Sequence, residues 1–227
     1  IRYFNIGDDD WRETDEWPPA SSEVQSLYLS PNKMLSSNTP SQSLVSDYTY
    51  DPSKPITITE GTNIWSRSAQ MRERSVLLER DDVLVFETEV LEEDLEITGD
   101  ILLELFASSS AIDTDFTTAI VDVYPDGYSL LIQEGILRAS HRNKNESPSH
   151  INPDEIYQFN IDLWSTSYMI TAGHKLRLEI SSSNFPRFAR NLNNGEPFGM
   201  SSDIVIADQK IYFGDKYPSR LLLPIIR

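Results

Sequence analysis

The chain has 227 residues, 19 Lys and Arg against 36 Asp and Glu, and a formal net charge of −17 at pH 7. Such a length fits one large domain or two small ones and can bury roughly 70% of the surface its unfolded form exposes. The charge argues against a nucleic-acid partner, whose phosphates call for clustered Lys and Arg, and against an anionic membrane surface on the same ground. Cysteine is absent, so a disulfide framework, a thiol nucleophile and a Cys-based zinc site are excluded. No apolar run approaches the ~20 residues of a membrane helix. The first residues, Ile1-Arg2-Tyr3-Phe4, are neither an initiator methionine nor a signal peptide. They read as the interior of a longer polypeptide, for which a cytoplasmic location is the expectation.

In chain order, the strands expected from period-2 alternation cover residues 24–29, 83–89, 95–97, 101–107, 116–124, 130–139, 157–163, 174–180, 204–206, 210–213 and 221–226. The clearest alternations set Leu176, Leu178 and Ile180 against Lys175, Arg177 and Glu179, and Phe159, Ile161 and Leu163 against Gln158, Asn160 and Asp162. Each implies one buried face and one wet face. Pro125-Asp126-Gly127 and Thr98-Gly99-Asp100 read as turns between strands, and one short helix is expected near 165–171. Residues 31–72, rich in Ser, Thr, Asn and Pro, read as a long surface excursion. The expectation is an all-β chain, a single jelly-roll β-sandwich over residues 1–227 with long surface loops.

Signals for chemistry are sparse. A nucleophile elbow needs Gly-x-Ser-x-Gly; Gly127-Tyr128-Ser129 and Gly199-Met200-Ser201 both lack the second glycine. The three histidines, His141, His150 and His174, do not have zinc-helix spacing, and alternation turns His174 outward. Asp8-Asp9-Asp10 has Pro19 where an EF-hand loop carries its glutamate. Asp113 and Asp115, in a D-x-D loop before a strand, are the one calcium candidate, with capping of the strand entrance as the commoner use of such a pair. Residues 81–104 hold ten acids and no base, which reads as a solvated sheet face.

Two segments differ from ordinary surface: Trp11-Arg12 with Trp17-Pro18-Pro19, and the run 181–191 with Phe185, Arg187, Arg190 and Asn191. Trp and Arg are the residue types that anchor interfaces. These residues are the candidate interdomain contact; core filling and solvated arginines are the competing reading.

These segments, with Tyr50-Asp51-Pro52, Ser108-Ser109-Ser110-Ala111, Asp113-Thr114-Asp115-Phe116, Val121-Asp122-Val123-Tyr124-Pro125-Asp126-Gly127, Gly135-Ile136-Leu137-Arg138-Ala139 and Ala172-Gly173-His174-Lys175-Leu176-Arg177, occur in an order that resembles one family. It is the C-terminal, non-catalytic domain of the X-Pro dipeptidyl-peptidase and cocaine-esterase (CocE/NonD) serine hydrolases. The resemblance runs across nearly the whole chain. It implies a galactose-binding-like jelly roll packed on an α/β-hydrolase domain that carries a Ser-Asp-His triad. No triad residue maps onto this chain, and no cofactor is implied. The resemblance also implies that the loop bearing Asn63, Ile64 and Trp65 faces the parent's substrate pocket. Here the sequence departs from the family, reading Thr59-Glu60-Gly61 where a Gly-Gly turn is usual. A stand-alone carbohydrate-binding module using Trp11, Trp17 and Trp65, and a homo-oligomerisation domain, are the alternatives.

Overall fold

The computed structural model describes residues 1–57 and 73–227. Among these are thirteen strands and three short 3-10 turns. The strands are β1 (Arg2–Asn5), β2 (Asp10–Glu13), β3 (Ser22–Ser30), β4 (Met34–Ser36), β5 (Leu44–Tyr50), β6 (Leu84–Glu87), β7 (Leu95–Ser109), β8 (Asp115–Val123), β9 (Ser129–Arg138), β10 (Tyr157–Ile170), β11 (Lys175–Ser181), β12 (Ala207–Phe213) and β13 (Arg220–Ile226). The short turns cover Pro31–Lys33, Ser75–Glu79 and Ala139–His141.

β1 and β2 form a separate hairpin; the rest join one eleven-stranded sheet that doubles back on itself. In one layer the long β7 pairs with β10 along one edge and with β12 and β13 along the other, which lead on to β5 and β3. The second layer runs β6-β11-β8-β9. Short β4 links the two, antiparallel to β3 and parallel to β6. The core lies between the layers, with Ile97, Leu103, Leu105, Phe116, Ile120, Phe159, Ile161, Leu176, Leu178 and Leu221 fully or almost fully buried. At ~25 cal/mol per Å² of apolar surface, burial of these side chains is the main force holding the layers together.

β9 and β10 close the open side. Gly135 on β9 lies so near β10 that a Cβ there would sit 2.4 Å from the Asp162 carbonyl oxygen, and Gln133 Nε2 donates to the Ser165 carbonyl at 3.2 Å. Only glycine tolerates that approach.

The alternation predicted for β10 is present: Phe159, Ile161 and Leu163 are buried while Gln158, Asn160 and Asp162 are exposed. Four expectations need correction. Residues 165–170 continue β10 as strand rather than helix, because their backbone pairs with 95–100 of β7. Thr98-Gly99-Asp100 is not a turn but part of β7; Gly99 is there because Pro18 and Pro224 lie about 3 Å from where its Cβ would be. Residues 204–206 fall before β12 and are not a strand. The excursion over 31–72 contains β4 and β5, with residues 58–72 outside the described part.

Part of the outer face of each layer is also covered, which the alternation could not reveal. Residues 1–19 lie across the first layer, where Asn5 reaches Glu96 and Ser167 and Pro18 meets Gly99. Residues 51–57 and 73–80 lie across the second, where Ile56, Leu77 and Val83 make a small core of their own. Every residue of β8 is therefore buried. Arg177 and Glu179, expected on a wet face, are 3% and 2% exposed.

Candidate functional site

The predicted interface residues divide between two places. In the first, hairpin register sets Phe4 opposite Trp11 and Tyr3 opposite Arg12. Arg12 turns inward, its guanidinium bonded to Glu96 and to Asp8. The Glu96 bond, and with it the Asp8 pair, raises the Arg12 pKa against the opposing effect of burial. Glu96 Oε1 also accepts from Asn5 Nδ2 at 3.3 Å and Thr98 Oγ1 at 3.1 Å. Trp11 points outward and Trp17 packs edge-on against Tyr3, ring centroids 5.3 Å apart.

The second place lies beyond the other end of β7. Asn191 Nδ2 donates to Asp115 at 3.0 Å and to Asp113 at 3.2 Å. Arg187 pairs with buried Glu134, Arg190 Nη1 donates to the Pro52 carbonyl at 2.9 Å, and Phe185 N donates to Ile56 O at 2.9 Å. A cleft of about 250 Å³ adjoins them, lined by Arg138, Arg190, Asn191, Asn194 and Phe198 among others. Phe198 of this lining is exposed, and so are Met200 and Ile206. Glu96 and Ser109 lie near opposite ends of β7, thirteen residue steps or roughly 40 Å apart.

The calcium candidates are engaged with the protein itself. Arg138 donates to Asp115 through Nε at 2.8 Å and Nη2 at 3.1 Å, and Asp113 Oδ1 accepts the Ser140 backbone N–H at 2.9 Å. Burial raises the Asp115 carboxyl pKa, against the pull of Arg138 and Asn191. The aspartate pair closes on a guanidinium and an amide. Among the described residues there is no group of three or more His, Asp or Glu placed to hold a metal.

The serines from the glycine-led strings face no histidine. Buried Ser129 Oγ donates to the Gly127 carbonyl at 3.0 Å and accepts from Arg177 Nη1 at 3.1 Å. Ser201 Oγ accepts the Asp203 N–H at 3.0 Å. Asn63, Ile64 and Trp65 lie outside the described residues.

Three features escaped the sequence reading. His174 does not face outward: its Nδ1 is 2.7 Å from buried Asp122, its side chain is 13% exposed, and Tyr124 stacks on it at 4.2 Å. Tyr168 O–H donates to the other Asp122 oxygen at 3.0 Å, and burial together with that carboxylate raises the Tyr168 pKa. Second, four of the ten acids in 81–104 pair with arginines: Asp82 with Arg80, Glu87 with Arg177, Glu96 with Arg12 and Glu104 with Arg220. That stretch is not simply a solvated face. Third, a bulge in β10 holds Trp164 at φ 66° and leaves it exposed. For the first two the only sequence signal was the density of charge on alternating strand positions.

Comparison with known proteins agrees with the architecture. Residues 1–222 match the X-Pro dipeptidyl-peptidase C-terminal non-catalytic domain. Cocaine esterase from Rhodococcus sp. (strain MB1 Bresler) is 34% identical over 239 residues, an alignment covering all of this chain and 42% of that protein. An aminopeptidase from a marine-sediment Thaumarchaeota archaeon superposes with a TM-score of 0.90 at 25% identity, over 100% of this chain and 40% of its own. An α-amino-acid ester hydrolase gives 0.90 at 26% identity, over 99% of this chain and 41% of its own. The chain thus spans about two-fifths of the length of each relative. No helix among the described residues is long and apolar enough to cross a membrane. An all-β jelly-roll-like sandwich that matches from residue 1 to residue 222 is a member of the X-Pro dipeptidyl-peptidase C-terminal non-catalytic domain family.

Proposed function

We propose that this domain is the accessory part of a longer serine hydrolase, packing on an α/β-hydrolase domain and helping to wall its substrate pocket. The observation that carries the reading is the family match over residues 1–222 in a chain that spans 42% of cocaine esterase. The hydrogen bonding of Ser129 and Ser201 supports it, since neither hydroxyl is bonded to a base among the described residues. On this reading the hydrolase part supplies nucleophile, base and oxyanion donors. The sandwich supplies a rigid wall: its outer faces are locked by buried ion pairs such as Arg74–Glu179 at 2.7 Å. The loop with Asn63, Ile64 and Trp65 is the element assigned to the pocket, and Glu60 beside it is where this sequence departs from the family's usual Gly-Gly turn.

The test is an assay of the 227-residue chain on a chromogenic acyl ester and on an X-Pro dipeptide anilide. The expected result is no turnover above buffer. Hydrolysis that co-purifies with the chain through successive columns and is lost on heat unfolding would contradict the proposal.

A further inference from the structure

We infer that the outward face of the β1–β2 hairpin, made by Arg2, Phe4 and Trp11, is a preformed seat for the catalytic part of the longer chain; this rests on the accessory-domain reading above. A two-stranded ribbon is marginal by itself. This one is fixed from beneath, where Asn5 is fully buried and donates to Ser167 Oγ at 2.9 Å, and Arg12 is clamped to Glu96. Backbone bonds add to the anchorage: Ile6 N donates to Ser167 O and Met169 N to Ile6 O. Strand alternation then places Phe4 and Trp11 on the side away from the body, 39% and 55% exposed.

That outward side is held in a fixed arrangement although nothing among the described residues covers it. The Phe4 and Trp11 rings meet edge to face, centroids 5.4 Å apart, and the Arg2 guanidinium lies 4.8 Å over the Trp11 ring. Trp and Arg held rigidly are the residue types that carry binding energy at interfaces, because little side-chain freedom is lost on docking. Exposed Asp8, Asp9 and Asp10 rim the patch at the hairpin turn. The matching surface is therefore an apolar socket with a carboxylate for Arg2 and Lys or Arg facing the aspartates.

The identity of the occupant follows from position. The matching family is described as C-terminal and non-catalytic, and about three-fifths of each longer relative lies outside the aligned region. The hairpin carries residue 1, so polypeptide preceding this domain emerges beside the patch.

The experiment uses the full-length polypeptide that carries this domain. Hydroxyl-radical footprinting compares Trp11 with Trp164, which is 68% exposed, and calorimetry follows unfolding of the wild type and of R2E and F4S/W11S. The expected result is slow labelling of Trp11 relative to Trp164, and one unfolding transition that splits into two in both variants. R2E leaves the aromatic pair intact, so splitting there cannot come from loss of the hairpin. A single transition in all three proteins with Trp11 labelled as fast as Trp164 would overturn the inference while leaving the accessory reading intact, with docking elsewhere. Two transitions in the wild type would overturn both. Trp11 protection that fades on dilution would assign the patch to a second copy and overturn the inference.

Discussion

Asp122 shows how much a single buried carboxylate asks of its neighbours. It is 2% exposed and accepts from His174 Nδ1 and the Tyr168 hydroxyl; because a carboxylate only accepts, His174 carries its proton on Nδ1. Tyr168→Phe removes one donor without changing shape. It should cost about 1–3 kcal/mol in urea unfolding, the penalty for an underbonded buried charge; a change within about 0.5 kcal/mol, as for surface substitutions, would show that Asp122 has found another donor. Glu87 gives the pH counterpart. Burial raises its pKa, but bonds from Arg177 and Lys175 outweigh this and leave it below the ordinary value. A folded-state pKa below the unfolded one gives stability that is present above the unfolded glutamate value, about 4.3, and lost as pH falls through the folded value. Glu87→Gln should therefore flatten the acid limb of a plot of unfolding midpoint against pH, with little change in slope near neutrality. An acid limb identical to that of the wild type would show that the pair contributes nothing.

At the scale of elements, the closure between β9 and β10 rests on one missing side chain. Gly135→Ala would place a methyl against the Asp162 carbonyl, which backbone cannot yield cheaply, so a loss of about 1–3 kcal/mol and a lower Tm are expected. An unchanged Tm would mean that the two strands do not approach as described. Legibility in the sequence divides along the same lines. β10 could be read because one of its faces meets water: Gln158, Asn160 and Asp162 alternate with buried apolar residues. β11 alternates just as cleanly, yet its polar face is covered, and Arg177 and Glu179 are polar because they pair with Glu87 and Arg74. A period of two reports which residues share a face and not what lies over it. Gly99 misled for a related reason: glycine marks both turns and close approaches, and here it marks the approach of Pro18 and Pro224. Among the candidate site residues, the type of Arg12, Arg187 and Asn191 was informative. Their division between the two ends of β7 was not, since it depends on long-range pairing.

For the whole molecule, the charge of −17 is not spread as an indifferent wet shell. Arginines neutralise acids where residues 1–19, 51–57 and 73–80 cross the outer faces, as Arg12 does for Glu96 and Arg74 for Glu179. With part of each outer face covered, the hairpin, the loops and the wet face of β10 remain as free surfaces among the described residues. Arg12→Met should expose this arrangement: with Glu96 left without its guanidinium, the hairpin should become the first site of limited proteolysis while the core resists. Cleavage at unchanged rate near residues 6–10 would show that the hairpin is held by other contacts.

The central claim is that catalysis belongs to polypeptide outside these 227 residues. Its most direct test is to label the full-length protein with a fluorophosphonate, which reacts only with an activated serine, and to map the modified residue by mass spectrometry. The label is predicted on a serine preceding residue 1, with none on Ser129, Ser201 or any other serine of this chain. Stoichiometric label on a serine within residues 1–227 would contradict the account.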